Sequence, residues 1–210
     1  MFIDRADAGR QLADRLAALG LPSPVVLALP RGGVPVAAEI AARLGAPLDL
    51  ILVRKIGAPG HAEYAAGAVV DGDPPETVWN DDALRMLRLT PADFTAAVQA
   101  EVARNAQRRA LYQGGRAPLP LAGRTAIVVD DGIATGATMK AALRGLAHRG
   151  PARVVLAVPV APPDVVEDLR ALADDVVCLR IPADFGAVGE YYRSFPQVSD
   201  AEVQAILARA

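Results

Sequence analysis

The sequence predicts an α/β protein: a doubly wound, mainly parallel five-stranded sheet of Rossmann-like type, carrying an inserted helical subdomain and a C-terminal cover. Short, continuously apolar runs of strand length recur along the chain, each too short for a one-sided helix. Helical stretches opened by glycine-rich turns separate them, and strand, turn, helix, strand is a βαβ unit with a right-handed crossover. The size agrees. At 210 residues, 52% of them hydrophobic, the chain suits one compact domain, or a domain with a large insertion.

The first element is a helix from Asp4 to Leu19, with Asp4 as N-cap and Leu12, Leu16 and Leu19 on one face. Gly20, Pro22 and Pro24 end it. Val25 to Leu29 reads as a buried strand, Val34 to Leu44 as a helix, and Leu48 to Val53 as a second strand. A loop is expected from Arg54 to Glu63, then a hairpin around Ala66 to Val70. The stretch Thr90-Pro91-Ala92-Asp93 offers an N-cap, a proline at the first helical position and an acid in the first turn. The helix it opens repeats Phe94, Val98 and Val102 at a spacing of four. The insertion is expected over about 71–123. Thr125 to Val129 is a third strand, with a turn over Asp130–Thr138 and a helix to His148. Val154 to Val160 is a fourth strand, Pro163 to Leu172 a helix, and Val176 to Ile181 the last strand. The cover spans about 182–210 and contains a capping box, Ser199-Asp200-Ala201-Glu202, opening a helix to Ala208.

Composition narrows the function classes. With 22 Lys+Arg against 24 Asp+Glu, the net charge of −2 disfavours a general nucleic-acid footprint and leaves room for a local anion site. The single cysteine, Cys178, sits in an apolar run and reads as a small buried residue. Two histidines, His61 and His148, without a second cysteine give no zinc pattern. The uncharged stretch Leu16 to Pro30 is interrupted by prolines and falls short of the ~20 residues a membrane span needs. No secretory leader is read at the N-terminus. A cytoplasmic protein without membrane or nucleic-acid partners is expected.

In an open α/β sheet, ligands bind beyond the carboxyl ends of the strands. Three segments emerge there. Asp130-Asp131 puts two carboxylates together, which repel unless a cation or hydroxyl-rich ligand offsets them. Ala134-Thr135-Gly136-Ala137-Thr138 then runs into a helix N-terminus, where free amides and the helix dipole favour a phosphate. Acceptors for a sugar diol beside donors for a phosphate suit a ribose 5-phosphate. Leu29-Pro30-Arg31-Gly32-Gly33 opens the first crossover helix, its glycines allowing close backbone approach and Arg31 adding a donor fork. Arg54-Lys55-Ile56-Gly57-Ala58-Pro59-Gly60-His61-Ala62-Glu63 brings further positive charge. No P-loop and no dinucleotide fingerprint occurs.

The segment from Val128 to Thr138 resembles the signature of the type I phosphoribosyltransferases, which use 5-phosphoribosyl 1-diphosphate. The resemblance implies that Asp130 and Asp131 contact the ribose hydroxyls, directly or through magnesium, as the metal-binding pair. It implies that Gly132, Ala134, Thr135, Gly136, Ala137 and Thr138 hold the 5′-phosphate region. Arg31, Gly32 and Gly33 resemble the diphosphate-binding loop, in which a non-proline cis peptide is common, and Arg54 and Lys55 are expected to join them. The loop from Arg54 resembles the catalytic loop of adenine-type and xanthine-type members. Lys55, Arg31 and Asp131 are therefore the expected catalytic residues, Lys55 acting on the departing diphosphate. His61 is a weaker candidate for that role.

Phe185, Tyr191 and Tyr192 of the tail are candidates for stacking on the acceptor, local packing being the competing reading. The lysine by which 6-oxopurine members read their base has no counterpart in Val158-Pro159-Val160-Ala161-Pro162-Pro163. Beyond Arg193 no basic cluster suited to orotate accompanies the tail. The inserted helix carries Arg104, Arg108 and Arg109; Arg108, one turn from Arg104, is a candidate to face phosphates, and the default expectation is a solvated face paired with acids such as Glu101. The expected activity is transfer of ribose 5-phosphate to a nitrogenous, nucleobase-like acceptor. A non-catalytic sensor of 5-phosphoribosyl 1-diphosphate or a nucleotide is the alternative, and a hydrolase or phosphorylase using the same pocket is a third reading. A homodimer is left open as the assembly.

Overall fold

The computed structural model describes residues 1–58 and 61–209. Helix α1 (Arg5–Ala17) starts where the Asp4 carboxylate accepts the Asp7 N–H at 2.8 Å. Strand β1 (Pro24–Ala28), helix α2 (Gly33–Leu44) and strand β2 (Leu48–Leu50) form the first βαβ unit, and Gly45 ends α2 in the left-handed region. The antiparallel strands β3 (Val53–Ala58), β4 (His61–Val70) and β5 (Glu76–Trp79) follow. Helix α3 (Asp81–Leu87), a 3-10 turn over Pro91–Phe94 and helix α4 (Thr95–Gln113) complete the insertion. The main sheet resumes with β6 (Thr125–Val129), α5 (Ala137–Ala147), β7 (Arg153–Val160), α6 (Pro163–Arg170) and β8 (Asp175–Arg180). Helix α7 (Asp200–Leu207) follows, capped reciprocally by Ser199 and Glu202.

The five parallel strands stand in the order β2-β1-β6-β7-β8. From β1 the chain winds outward to β2, and from β6 it winds the other way. The order reverses between β1 and β6, whose registers run level to Ala28↔Val129. At such a switch point the loops leaving neighbouring strands part to opposite faces and open a crevice. One face of the sheet packs Leu12, Leu16 and Ile40 against Val26, Leu50 and Ile127. The other packs Met139, Leu143, Leu146 and Leu169 against Val128 and Leu156.

Several expectations need correction. The stretch Leu48 to Val53 is not one strand: β2 stops at Leu50, and Val53 begins β3. The expected loop from Arg54 is strand as far as Ala58, with Ile56 buried against Phe94 and Leu84. The hairpin expected around Ala66 to Val70 is present, these residues being part of β4, the central strand of the small sheet, paired antiparallel with β3 and β5. Phe94, with Val98 and Val102, does face that sheet as the spacing predicts. Cys178 is half-buried rather than buried, because β8 is an edge strand; burial still pushes its thiol up to about 11.

Arg109 is the largest departure. Instead of facing solvent it is buried, and its guanidinium donates to Asp49 (2.9 Å), to Asp71 and to the Leu50 carbonyl (2.9 Å). Burial pushes the Asp49 carboxyl up, but Arg109 and the N–H groups of Leu119 and Leu50 outweigh it, and the net displacement is downward. For Asp71, burial prevails over Arg109 and the Leu52 N–H, and the carboxyl is raised. The network fastens α4 to the ends of β2 and β4. It sets where the insertion stands over the main sheet.

Candidate functional site

The two loops at the switch point touch. A Cβ built on Gly32 would lie 2.0 Å from the Asp131 carboxylate, and one on Gly33 would lie 2.7 Å from the Val129 carbonyl. Both positions require glycine because the Arg31 loop lies directly on the acid pair. The peptide between Pro30 and Arg31 is cis. Gly132 is held between Val160 and Val188, and Gly136 takes φ 74° to turn the chain into α5.

Asp130 ends β6 against the carboxyl of its neighbour, and its own Oδ1 accepts the Asp131 N–H at 2.8 Å. Its carboxyl is pushed well above the usual range, first by loss of water and then by the Asp131 carboxylate. Asp131 accepts a hydrogen bond from Arg5 Nε at 2.7 Å, while Arg5 also donates to the Pro196 carbonyl and lies over the Phe195 ring. The Tyr192 hydroxyl donates to the Asp131 carbonyl at 2.6 Å. Both ends of the chain thus converge on this acid.

A cavity of about 160 Å³ is lined by Asp130 and by residues 132–139, which include Ala134, Thr135, Gly136, Ala137 and Thr138. It opens at the N-terminus of α5, which has no side-chain cap. Free amides in that position select for an anion. A second cavity, about 150 Å³, is walled by Pro30, Arg31, Arg54, Arg108, Tyr112 and Thr138 among others. A third, about 230 Å³, lies between the small sheet and α5 and is lined by Lys55, Trp79, Lys140, Arg144 and again Thr138. Thr138 borders all three, so the turn into α5, the Arg31 loop and Lys55 adjoin one residue.

The chemistry of the two adjacent carboxyls, hard oxygen donors, suits a divalent cation such as magnesium, and of the pair Asp131 is hydrogen-bonded to a cation, Arg5. The pair does not form an all-protein cage, since among the described residues no group of three or more His, Cys, Asp or Glu side chains could hold a metal. Of the tail aromatics, Phe185 and Tyr191 stack on each other with centroids 5.7 Å apart and remain half-buried. Tyr192 is a correction. It is buried between Phe2 and Phe195 and presents no free face to an acceptor. Pro59, Gly60 and the side chains of His61 and Glu63 lie outside the described residues.

Sequence reasoning misses Arg5, Tyr112 and Asp200. Arg5 carries no local signal, being the first residue of an ordinary helix. Asp200 reads only as part of a capping box, yet its Oδ1 accepts from Tyr112 (2.6 Å) and from Arg108 (3.2 Å). Arg104 does pair with Glu101, as expected, and Glu101 also holds Arg54.

Comparison with known proteins agrees with this geometry. The family model described as the phosphoribosyl transferase domain matches residues 4–194. Two Mycobacterium tuberculosis proteins, MT0597 and Rv0571c, each provisionally named a phosphoribosyl transferase, are 50% identical over all 210 residues. The chain spans 47% of their length, about half. The crystal structure of TT1426 from Thermus thermophilus superposes with a TM-score of 0.84 at 49% identity, covering 100% of this chain and 98% of that one.

Proposed function

Because the chain belongs to the phosphoribosyl transferase domain family, we propose that it transfers ribose 5-phosphate from 5-phosphoribosyl 1-diphosphate to a nitrogenous, nucleobase-like acceptor, releasing diphosphate. One observation supports this above the others: the acid pair, the uncapped α5 N-terminus and the Arg31 loop meet at the reversal of strand order. A ribose seated on Asp130 and Asp131 would place its 5′-phosphate on the amides of residues 134–138 and its diphosphate toward Arg31 and Arg54.

The bond from the anomeric carbon to the diphosphate oxygen then breaks, its electron pair leaving with the diphosphate, and a bond from that carbon to the acceptor nitrogen forms as the nitrogen's proton passes to solvent. Negative charge grows on the departing oxygen, where preorganised cations lower the barrier most. Arg31 and Lys55 supply them. Magnesium, when bound, would be held by Asp130 and Asp131 with substrate oxygens and would offset the charge of the leaving group. The stack of Phe185 on Tyr191 is the tail surface to which a planar acceptor is assigned. A cytoplasmic setting, supplied with phosphorylated pentose, goes with this reading, and the chain is taken as one domain with its insertion over about 71–123 and its cover over about 182–210.

The Arg5–Asp131 contact favours the second reading, a non-catalytic sensor, because it already occupies one acid. The test is diphosphate release from 5-phosphoribosyl 1-diphosphate with magnesium, across purines, pyrimidines and small amines. Release that requires an acceptor is the expected result. Binding without release under any acceptor would replace the enzyme with the sensor, and acceptor-free release would make it a hydrolase.

A further inference from the structure

The cavity beside the Arg31 loop owes one wall to the main sheet and the other to the insertion. Arg31 comes from the loop after β1, Arg54 from β3, and Arg108 and Tyr112 from α4, one helical turn apart. Each arginine already faces a carboxylate. Arg54 is paired with Glu101 at 2.6 Å. Arg31 and Arg108, from opposite walls, share a single oxygen, Asp200 Oδ1, at 3.8 and 3.2 Å, and the Tyr112 hydroxyl donates to that same oxygen at 2.6 Å.

Three donors converging on one carboxylate oxygen describe an anion site occupied from within. Asp200 is suited to leave. Its side chain is 41% exposed, and it is the first residue of α7, where the helix dipole stabilises its charge whether or not the arginines hold it. The donors are suited to receive another anion. Burial and the bond to Asp200 push the Tyr112 phenol up to about 12, so it stays a donor through the neutral range. A diphosphate presents several charged oxygens to these donors, where Asp200 presents one at the long distance of 3.8 Å to Arg31.

We infer that Arg108, with Tyr112, is a further diphosphate-binding residue contributed by the insertion, and that Asp200 holds its place until a diphosphate displaces it. The inference rests on the function proposed above and extends it: substrate binding would free the Asp200 carboxylate from Arg108, Tyr112 and Arg31. Asp200 acts here as a positioning residue and competitor, Arg108 as a binding residue.

The experiment is titration of the full chain with inorganic diphosphate by calorimetry, comparing wild type, Arg108→Gln, Asp200→Asn and the double variant. Arg108→Gln is expected to weaken binding about tenfold or more, the worth of a charge-assisted hydrogen bond, with Arg108→Lys falling between. Asp200→Asn is expected to tighten binding about three- to tenfold, since two half-exposed ion pairs no longer compete. In the double variant that tightening should shrink, because Arg31 and Tyr112 are then freed but the Arg108 guanidinium is already absent. A purely structural Asp200 would weaken binding when replaced, and that sign overturns the inference. Wild-type binding with Arg108→Gln unchanged overturns it too, leaving the proposed function standing. No binding of diphosphate by the wild type, with or without magnesium, would instead remove the proposed function and this inference together.

Discussion

Replacing Arg109 by methionine isolates the electrostatics that hold the insertion in place. The stem packing is retained and the guanidinium is lost. Asp49 then keeps the N–H groups of Leu50 (2.7 Å) and Leu119 (2.7 Å), and Asp71 keeps that of Leu52 (2.7 Å). Neither buried carboxylate retains a hydrogen-bonded cation. Orphaning one partner of a buried ion pair costs about 3–5 kcal/mol, which for a domain of this size lowers the melting temperature by about 6–20 °C. The sign with pH follows from the same groups. Without Arg109 the folded-state carboxyls rise above their unfolded value of 3.8. The penalty is therefore absent below that value and grows as pH rises through the raised folded values. Melting curves of wild type and variant should converge toward pH 4 and separate toward pH 7. Neutralising the whole network, with Asp49→Asn and Asp71→Asn added, should recover much of the loss. A deficit below about 1 kcal/mol at neutral pH, or one indifferent to pH, would refute the reasoning.

Gly32→Ala places a methyl against the Asp131 carboxylate; a loss of about 1–3 kcal/mol in urea denaturation should accompany weaker binding of 5-phosphoribosyl 1-diphosphate. Lys55→Ala is exposed and should leave the melting temperature alone while lowering kcat on the order of 100-fold, with a smaller change in KM. Asp130→Asn, melted in the metal-free protein, should be at least as stable as wild type at pH 7. The raised carboxyl favours folding only while it holds its proton, a contribution lost as pH rises through the folded value. The same substitution should abolish tight sugar-phosphate binding, measured by calorimetry.

The parallel sheet was legible because its strands are apolar on both faces, and such runs have no other comfortable home. The Asp130–Thr138 turn was legible because paired acids before a run of small and hydroxylated residues have few structural uses. The small antiparallel sheet was not. Its first strand, Val-Arg-Lys-Ile-Gly-Ala, mixes charge and glycine, and only Ile56 declares the side facing Phe94. Arg109 was misplaced by the assumption that a run of arginines on a helix faces water. A signal did exist. Asp49 interrupts an otherwise unbroken apolar strand, and a carboxylate there demands a cation from somewhere else in the chain. The Arg5 and Asp200 contacts were beyond reach, since each joins residues at least 88 positions apart.

The pairing of the chain's extremities has a bearing on the order of assembly. Phe2 donates its amide to the Tyr191 carbonyl, Arg193 and Ser194 return amides to Phe2 and Ile3, and Arg5 reaches past them to Asp131. A nascent polypeptide halted before Tyr191 would already contain every strand of both sheets, yet Phe2 and Ile3 would lack these partners. The acid would then lack the Tyr192 hydroxyl on its carbonyl, and Arg5 the Phe195 ring and Pro196 carbonyl that steady it. Maturation of the pocket is thereby deferred until residues 191–196 have been made and the seam with residues 2–5 is sewn.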